Sequence, residues 1–125
     1  MSQVILVDFD GTCVEHAFPA VGADIGAQRV LKKLVANGHR LILYTMRYGD
    51  NLKEAQRWFS KNNIPLYASQ WHPTQKSWTS SNKAHGDLCI DDRNLGTPLR
   101  EDSRGKPCVD WDGVESLLIA AGLIR

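Results

Sequence analysis

Residues 4–13 read Val-Ile-Leu-Val-Asp-Phe-Asp-Gly-Thr-Cys, and no other stretch limits the fold as tightly. The run is apolar on both faces, as a strand inside a parallel sheet must be. It then stops in Asp8, Asp10, Gly11 and Thr12. A buried strand ending this way delivers two carboxylates and a tight turn to one sheet edge. In open α/β sheets that edge is where ligands gather. Taken alone, the Asp-Gly pair reads as an ordinary turn with Gly11 supplying positive φ. A functional reading requires other segments to bring matching groups to the same place.

The 125 residues are expected to form one domain, 1–125. A net charge of +1 carries no polyelectrolyte signature, so charge gives no support to nucleic-acid or membrane binding. No apolar run is long enough to span a bilayer, and the start of the chain enters a strand without a basic leader. The three cysteines, Cys13, Cys89 and Cys108, form no CxxC pair and read as reduced thiols. The cytoplasm is the expected compartment.

Along the chain, residues 3–9 form the first expected strand and 11–23 a connection. Asp24 is placed to cap a helix from about Ile25 to Asn37, with Gly38 at its C′ position. Arg40 to Thr45 is a second buried strand. Asn51 with Glu54 resembles a capping box for a second helix ending near Lys61. Ile64 to Ala68 is a short third strand. Residues 70–86, with Trp71, His72 and Trp78, show no period and read as a long loop. Asp87 to Asp91 is a fourth strand, 92–106 a polar loop, and 107–109 a fifth, edge strand. Asp110 or Asp112 caps a last helix whose Val114, Leu117, Leu118 and Ala121 face the core. Strands alternating with helices imply βαβ units and a mainly parallel sheet.

Four strand ends or neighbouring loops therefore present polar groups. They are Asp8 and Asp10, then Thr45, then Lys83, then Asp91 and Asp92. Each is weak evidence alone: Thr45 suits a helix cap, Asp91-Asp92-Arg93 a solvated turn, Lys83 the surface. Together they set carboxylates, a hydroxyl and an ammonium on one edge. Clustered carboxylates repel unless a cation or proton intervenes. Oxygen donors without His or Cys favour Mg²⁺.

Asp8-Phe-Asp-Gly-Thr12, Leu41-Ile-Leu-Tyr-Thr45, Lys83 and Ile90-Asp-Asp92 resemble, in order, the four motifs of haloacid dehalogenase superfamily phosphatases. The resemblance spans most of the chain, and its first and last motifs are the specific ones. It implies a three-layer α/β/α Rossmann-like sandwich with strand order 5-4-1-2-3 and, given the short connections here, no cap domain. It also implies a phosphomonoester hydrolase. Asp8 would be the nucleophile and Asp10 the general acid/base, with Thr45 and Lys83 (or Lys76) on the phosphoryl oxygens. Backbone N–H groups at Asp10 and Gly11 would help them. Mg²⁺ would be held by Asp8, the Asp10 backbone carbonyl and Asp91, with Asp92 on a metal water or orienting Lys83. Gly11, Thr12 and Arg47 are the expected substrate-binding residues, Arg47 for a second anionic group.

The expected partner is a phosphorylated small molecule in a solvent-open site, with Trp71, His72 and Trp78 either a partial lid or packing residues. A phosphate-binding or regulatory domain without useful turnover is the alternative from another class, and a polynucleotide-end phosphatase a further one. A receiver-like phospho-acceptor would place its paired acids and acceptor in the reverse order.

Overall fold

A computed structural model describes residues 2–125. Its elements are β1 (Val4–Val7), α1 (Ala27–Ala36), β2 (Arg40–Leu43), α2 (Gly49–Lys61), β3 (Ala68–Ser69), β4 (Leu88–Ile90), β5 (Leu99–Glu101), β6 (Pro107–Val109) and α3 (Trp111–Ala120), with a 3-10 turn at Gln75–Ser77. The fold is α/β. Four parallel strands lie in the order β3-β2-β1-β4, and β5 and β6 form a separate antiparallel ribbon.

The expected order 5-4-1-2-3 is therefore not matched, because the strand at 107–109 never joins the sheet. Asp102 explains why. Its Oδ1 accepts the N–H groups of Arg104 and Lys106 at 2.8 and 2.9 Å, folding the supposed polar loop into a hairpin. The strand thus finds its partner in 99–101, and β4 keeps an open edge.

One face of the sheet carries Ile5, Val7, Leu41 and Leu43, which share a core with residues of all three helices. Phe9 sits in it against Trp58, edge to face at 5.7 Å, and Phe59. The other face carries Leu6 and Ile42 and is covered by Ala84, with Tyr67 beside it. Right-handed crossovers account for this asymmetry. Moving from β1 to β2 to β3 puts α1 and α2 on one face, and the return to β4 must cross the other. Here that return is the 70–86 segment, a loop as its lack of period predicts, so the helical third layer that the resemblance implies is replaced by a loop with one 3-10 turn.

Boundaries moved where side chains found other work. The helix N-cap of α1 is Gly26, at φ 105°, with Asp24 accepting the N–H of Gly26 at 2.9 Å from two residues further out. Asn51 lies inside α2, and Glu54 pairs with Arg57, so the capping box does not form. Asp110 caps α3, accepting from the Asp112 N–H at 3.2 Å. In α3 the buried residues are Trp111, Val114 and Leu118, whereas Leu117 is 55% exposed. Leu117 and Ala121 instead line an open apolar groove beside β4. Among the described residues, no helix is long and apolar enough to cross a membrane.

Candidate functional site

Registers 5↔41 and 5↔88 put β1 between β2 and β4, so the ends of three strands meet. The Asp8 N–H donates to the Ile90 carbonyl at 3.0 Å and the Tyr44 N–H to the Val7 carbonyl at 2.8 Å, which carries the ladder up to the site. Carboxylate oxygens of Asp8, Asp91 and Asp92 come within 4.8 Å of one another. Asp8, Tyr44, Thr45, Met46, Gln70 and Asp91 line one hollow of about 330 Å³. Lys83 lines a second, of about 140 Å³, together with Asp8, Tyr44 and Asp91. Lys76 instead lies 5.9 Å from the centre of the Trp71 ring and lines neither hollow.

Thr12 fixes the cluster. It is fully buried, and its hydroxyl donates to Asp8 Oδ2 at 3.0 Å while accepting the Asp92 N–H at 3.1 Å. The expectation that Thr12 binds substrate is therefore corrected: it joins the first and fourth strand ends. Gly11 is corrected as well. Its N–H is taken by the Val14 carbonyl at 2.8 Å and is not offered to a phosphate. At φ +76° a side chain is strained there, and a Cβ would stand 2.2 Å from the His16 ring and 2.7 Å from Asp92 Oδ2. His16 Nε2 lies 3.3 Å from Asp92 Oδ2.

Arg47 is the largest departure. Its side chain is 1% exposed and grips Asp10 with two bonds, Nε to Oδ2 at 2.8 Å and Nη2 to Oδ1 at 2.7 Å. Its three remaining N–H groups go to the carbonyls of Pro19, Asn51 and Ala20. A guanidinium has five donors, and here all are spent inside the protein. Arg47 cannot also take an anionic group of a substrate. The plane is held between Phe9 and Phe18, whose ring centres lie 5.0 and 5.1 Å from the guanidinium carbon. The Asp10 carboxylate accordingly belongs to this clamp and stands outside the Asp8–Asp91–Asp92 group.

The cluster is electrostatically costly without a counter-charge. Burial first, and then the charge of Asp91, push Asp8 up to about 7 from an ordinary 3.8. Burial also raises Asp91. An all-oxygen donor set under this repulsion fits a hard divalent cation. Folded, Asp8 keeps its proton up to about 7; unfolded, it releases it near 3.8. Its contribution to stability is thus full below the unfolded value and is lost as pH rises through the folded one. In chelator, the Tm of Asp8→Asn should exceed that of wild type by about 2–5 °C at pH 8 and by much less at pH 5. A gap that is absent, or that shrinks as pH rises, would remove the case for an uncompensated Asp8.

Among solved structures, a conserved protein from Bacteroides thetaiotaomicron resembles the chain with a TM-score of 0.79 and 36% identity. The match covers 97% of this chain and 93% of that one. The chain belongs to that protein's family. No family model matches the sequence, and no curated protein does.

In this family member two glutamines supply geometry that the sequence pattern did not signal. Gln70, at φ 71°, accepts the Thr45 N–H at 2.8 Å and donates to the carbonyls of Thr45 and Arg47. Gln75, 4% exposed, accepts the His85 N–H and donates to the carbonyls of Ser81 and Lys83. The first braces the Thr45 turn and the second braces the segment carrying Lys83. Thr45 Oγ1 accepts the Arg47 N–H at 3.1 Å. The Trp loop packs along itself, Trp78 on His85, His85 by His72, His72 on Tyr67. Neither Trp71 nor Trp78 lines either acidic hollow.

Proposed function

We propose that this protein is a Mg²⁺-dependent phosphomonoesterase of the haloacid dehalogenase type, acting on a phosphorylated small molecule. One observation carries the reading: a half-buried Asp8 shares hollows with Thr45 and Lys83 while its carboxylate stands against those of Asp91 and Asp92. A nucleophile, a hydroxyl, a cation and a metal-type donor set around two adjoining hollows are the parts that phosphoryl transfer asks for.

Asp8 attacks phosphorus in line; the P–O bond to the alcohol breaks as the aspartyl-phosphate forms. Asp10, entering the cycle protonated and with one oxygen released from Arg47, gives its proton to the departing alkoxide. It takes one back from the water that then attacks phosphorus, which frees phosphate and restores the Asp8 carboxylate. Thr45 and Lys83 hold the phosphoryl oxygens through both steps. Asp8, Asp91 and Asp92 would hold Mg²⁺, which would supply the charge neutralisation a phosphate dianion needs to approach an anionic cluster. Arg47 orients Asp10, and Thr12 orients Asp8. Three free thiols suit a reducing cytoplasm as the compartment.

Purified protein should hydrolyse 4-nitrophenyl phosphate in Mg²⁺ and lose the activity in EDTA, recovering it when Mg²⁺ is returned. Turnover indifferent to chelator would defeat the metal assignment. A phosphate-binding domain without turnover is the second reading. It draws on the engagement of both Asp10 oxygens by Arg47, and it requires phosphate binding in Mg²⁺ with no hydrolysis of any monoester.

A further inference from the structure

The hollow beside Asp8 has an uneven lining. Its floor is acidic, Asp8 and Asp91, and its walls are Tyr44, Thr45, Met46 and Gln70. Met46 is 95% exposed and Tyr44 39% exposed, an unusual display of apolar surface at the mouth of a polar site. The polar wall residues have little left to offer. The Gln70 amide is spent on the backbone of Thr45 and Arg47, and the Thr45 hydroxyl, which already accepts one N–H, has only its O–H left, the donor a phosphoryl oxygen takes.

Cations are as informative. No basic side chain lines this hollow; Lys83 lines only the adjoining one, which it shares with Asp8 and Asp91. Arg47, the nearest residue along the chain that would welcome a second anionic group, has no N–H free. A substrate with a second phosphate or a carboxylate would bring that charge to an acidic floor with nothing to meet it. A nucleic-acid end carries further phosphates and meets the same obstacle. About 330 Å³ lies at the small end of ligand sites and holds one ring system.

We infer that the substrate is the monophosphate of an uncharged, flat or aromatic alcohol, whose ring lies against the Tyr44 ring and the Met46 thioether while its phosphate faces Asp8 and Lys83. This rests on the phosphomonoesterase reading for the orientation of the phosphate. An aromatic face and a polarizable thioether are a matched pair for such a ring, and both adapt to its outline. Sugar phosphates, which ask for many hydrogen bonds, find few partners here.

Phosphonates test the contact without turnover. In Mg²⁺, calorimetry on the whole protein should show 2-phenylethylphosphonate binding about tenfold tighter than methylphosphonate, the worth of one buried ring face. Butane-1,4-bisphosphonate should bind more weakly than the phenyl compound. In Met46→Ser and Tyr44→Ser the phenyl-to-methyl ratio should fall toward one. Equal affinities in wild type, a preserved ratio in both variants, or tighter binding of the bisphosphonate would each overturn the inference. The parent reading fails separately: a tenfold ratio with no hydrolysis of 4-nitrophenyl phosphate keeps the ring contact and removes the phosphatase.

Discussion

Asp8→Asn should lower hydrolysis of 4-nitrophenyl phosphate in Mg²⁺ by about a thousandfold or more. The amide is the same size and keeps an oxygen to accept the Thr12 hydroxyl, so the fold has no reason to fail. What disappears is the anionic oxygen that would form the covalent bond, and losing a nucleophile typically costs orders of magnitude. The stability expectation runs the other way, since removing one of three crowded carboxylates relieves repulsion from Asp91. An inactive protein that melts higher without metal identifies a residue kept for chemistry at a cost in stability. Residual activity within tenfold of wild type would sink Asp8 as nucleophile.

The second large effect is expected at Arg47. Replacing it with Met strips Asp10 of both hydrogen bonds and frees three carbonyls, at about 3–5 kcal/mol for breaking a buried ion pair. That variant can simply unfold, so Arg47→Lys is the sharper probe. Lysine keeps the charge but not the planar fork that spans two carboxylate oxygens. If Arg47 holds Asp10 for proton transfer, the loss must depend on the leaving group. Nitrophenolate departs without a proton, whereas an alkoxide needs one. The kcat for 2-phenylethyl phosphate should fall about a hundredfold in Arg47→Lys, and that for 4-nitrophenyl phosphate by tenfold or less. Equal losses on both substrates would reduce Arg47 to a structural brace.

The acidic edge was readable because charge placed at the end of an apolar run has few explanations. Asp8 and Asp91 follow Val7 and Ile90, and a parallel sheet with right-handed crossovers brings those ends together. Arg47 departs from its sequence expectation for a physical reason. A loop arginine is normally solvated, and nothing local reveals that Phe9, Phe18 and Asp10 will enclose it. Its partner lies far along the chain, beyond the reach of periodicity or capping rules. The ribbon of β5 and β6 hid similarly, since its exposed residues Leu99, Arg100 and Glu101 offer no apolar alternation. The place of Thr12 in the motif points its hydroxyl at a substrate; only its complete burial reveals a tether.

Gln70 and Gln75 share one chemistry. A primary amide presents one carbonyl and one NH₂, the same pair a peptide group presents to a strand. Each of these side chains stands in for a backbone neighbour that the loops lack, accepting from one N–H and donating to two carbonyls. The loops bearing Thr45 and Lys83 are therefore stitched by single removable stitches rather than by a ladder. A one-atom exchange, NH₂ for O⁻ on conversion to glutamate, would turn each stitch into an oxygen facing carbonyl oxygens. Ordinary chemical ageing of an amide could thus reshape the space around Asp8 while every strand and helix stays in place.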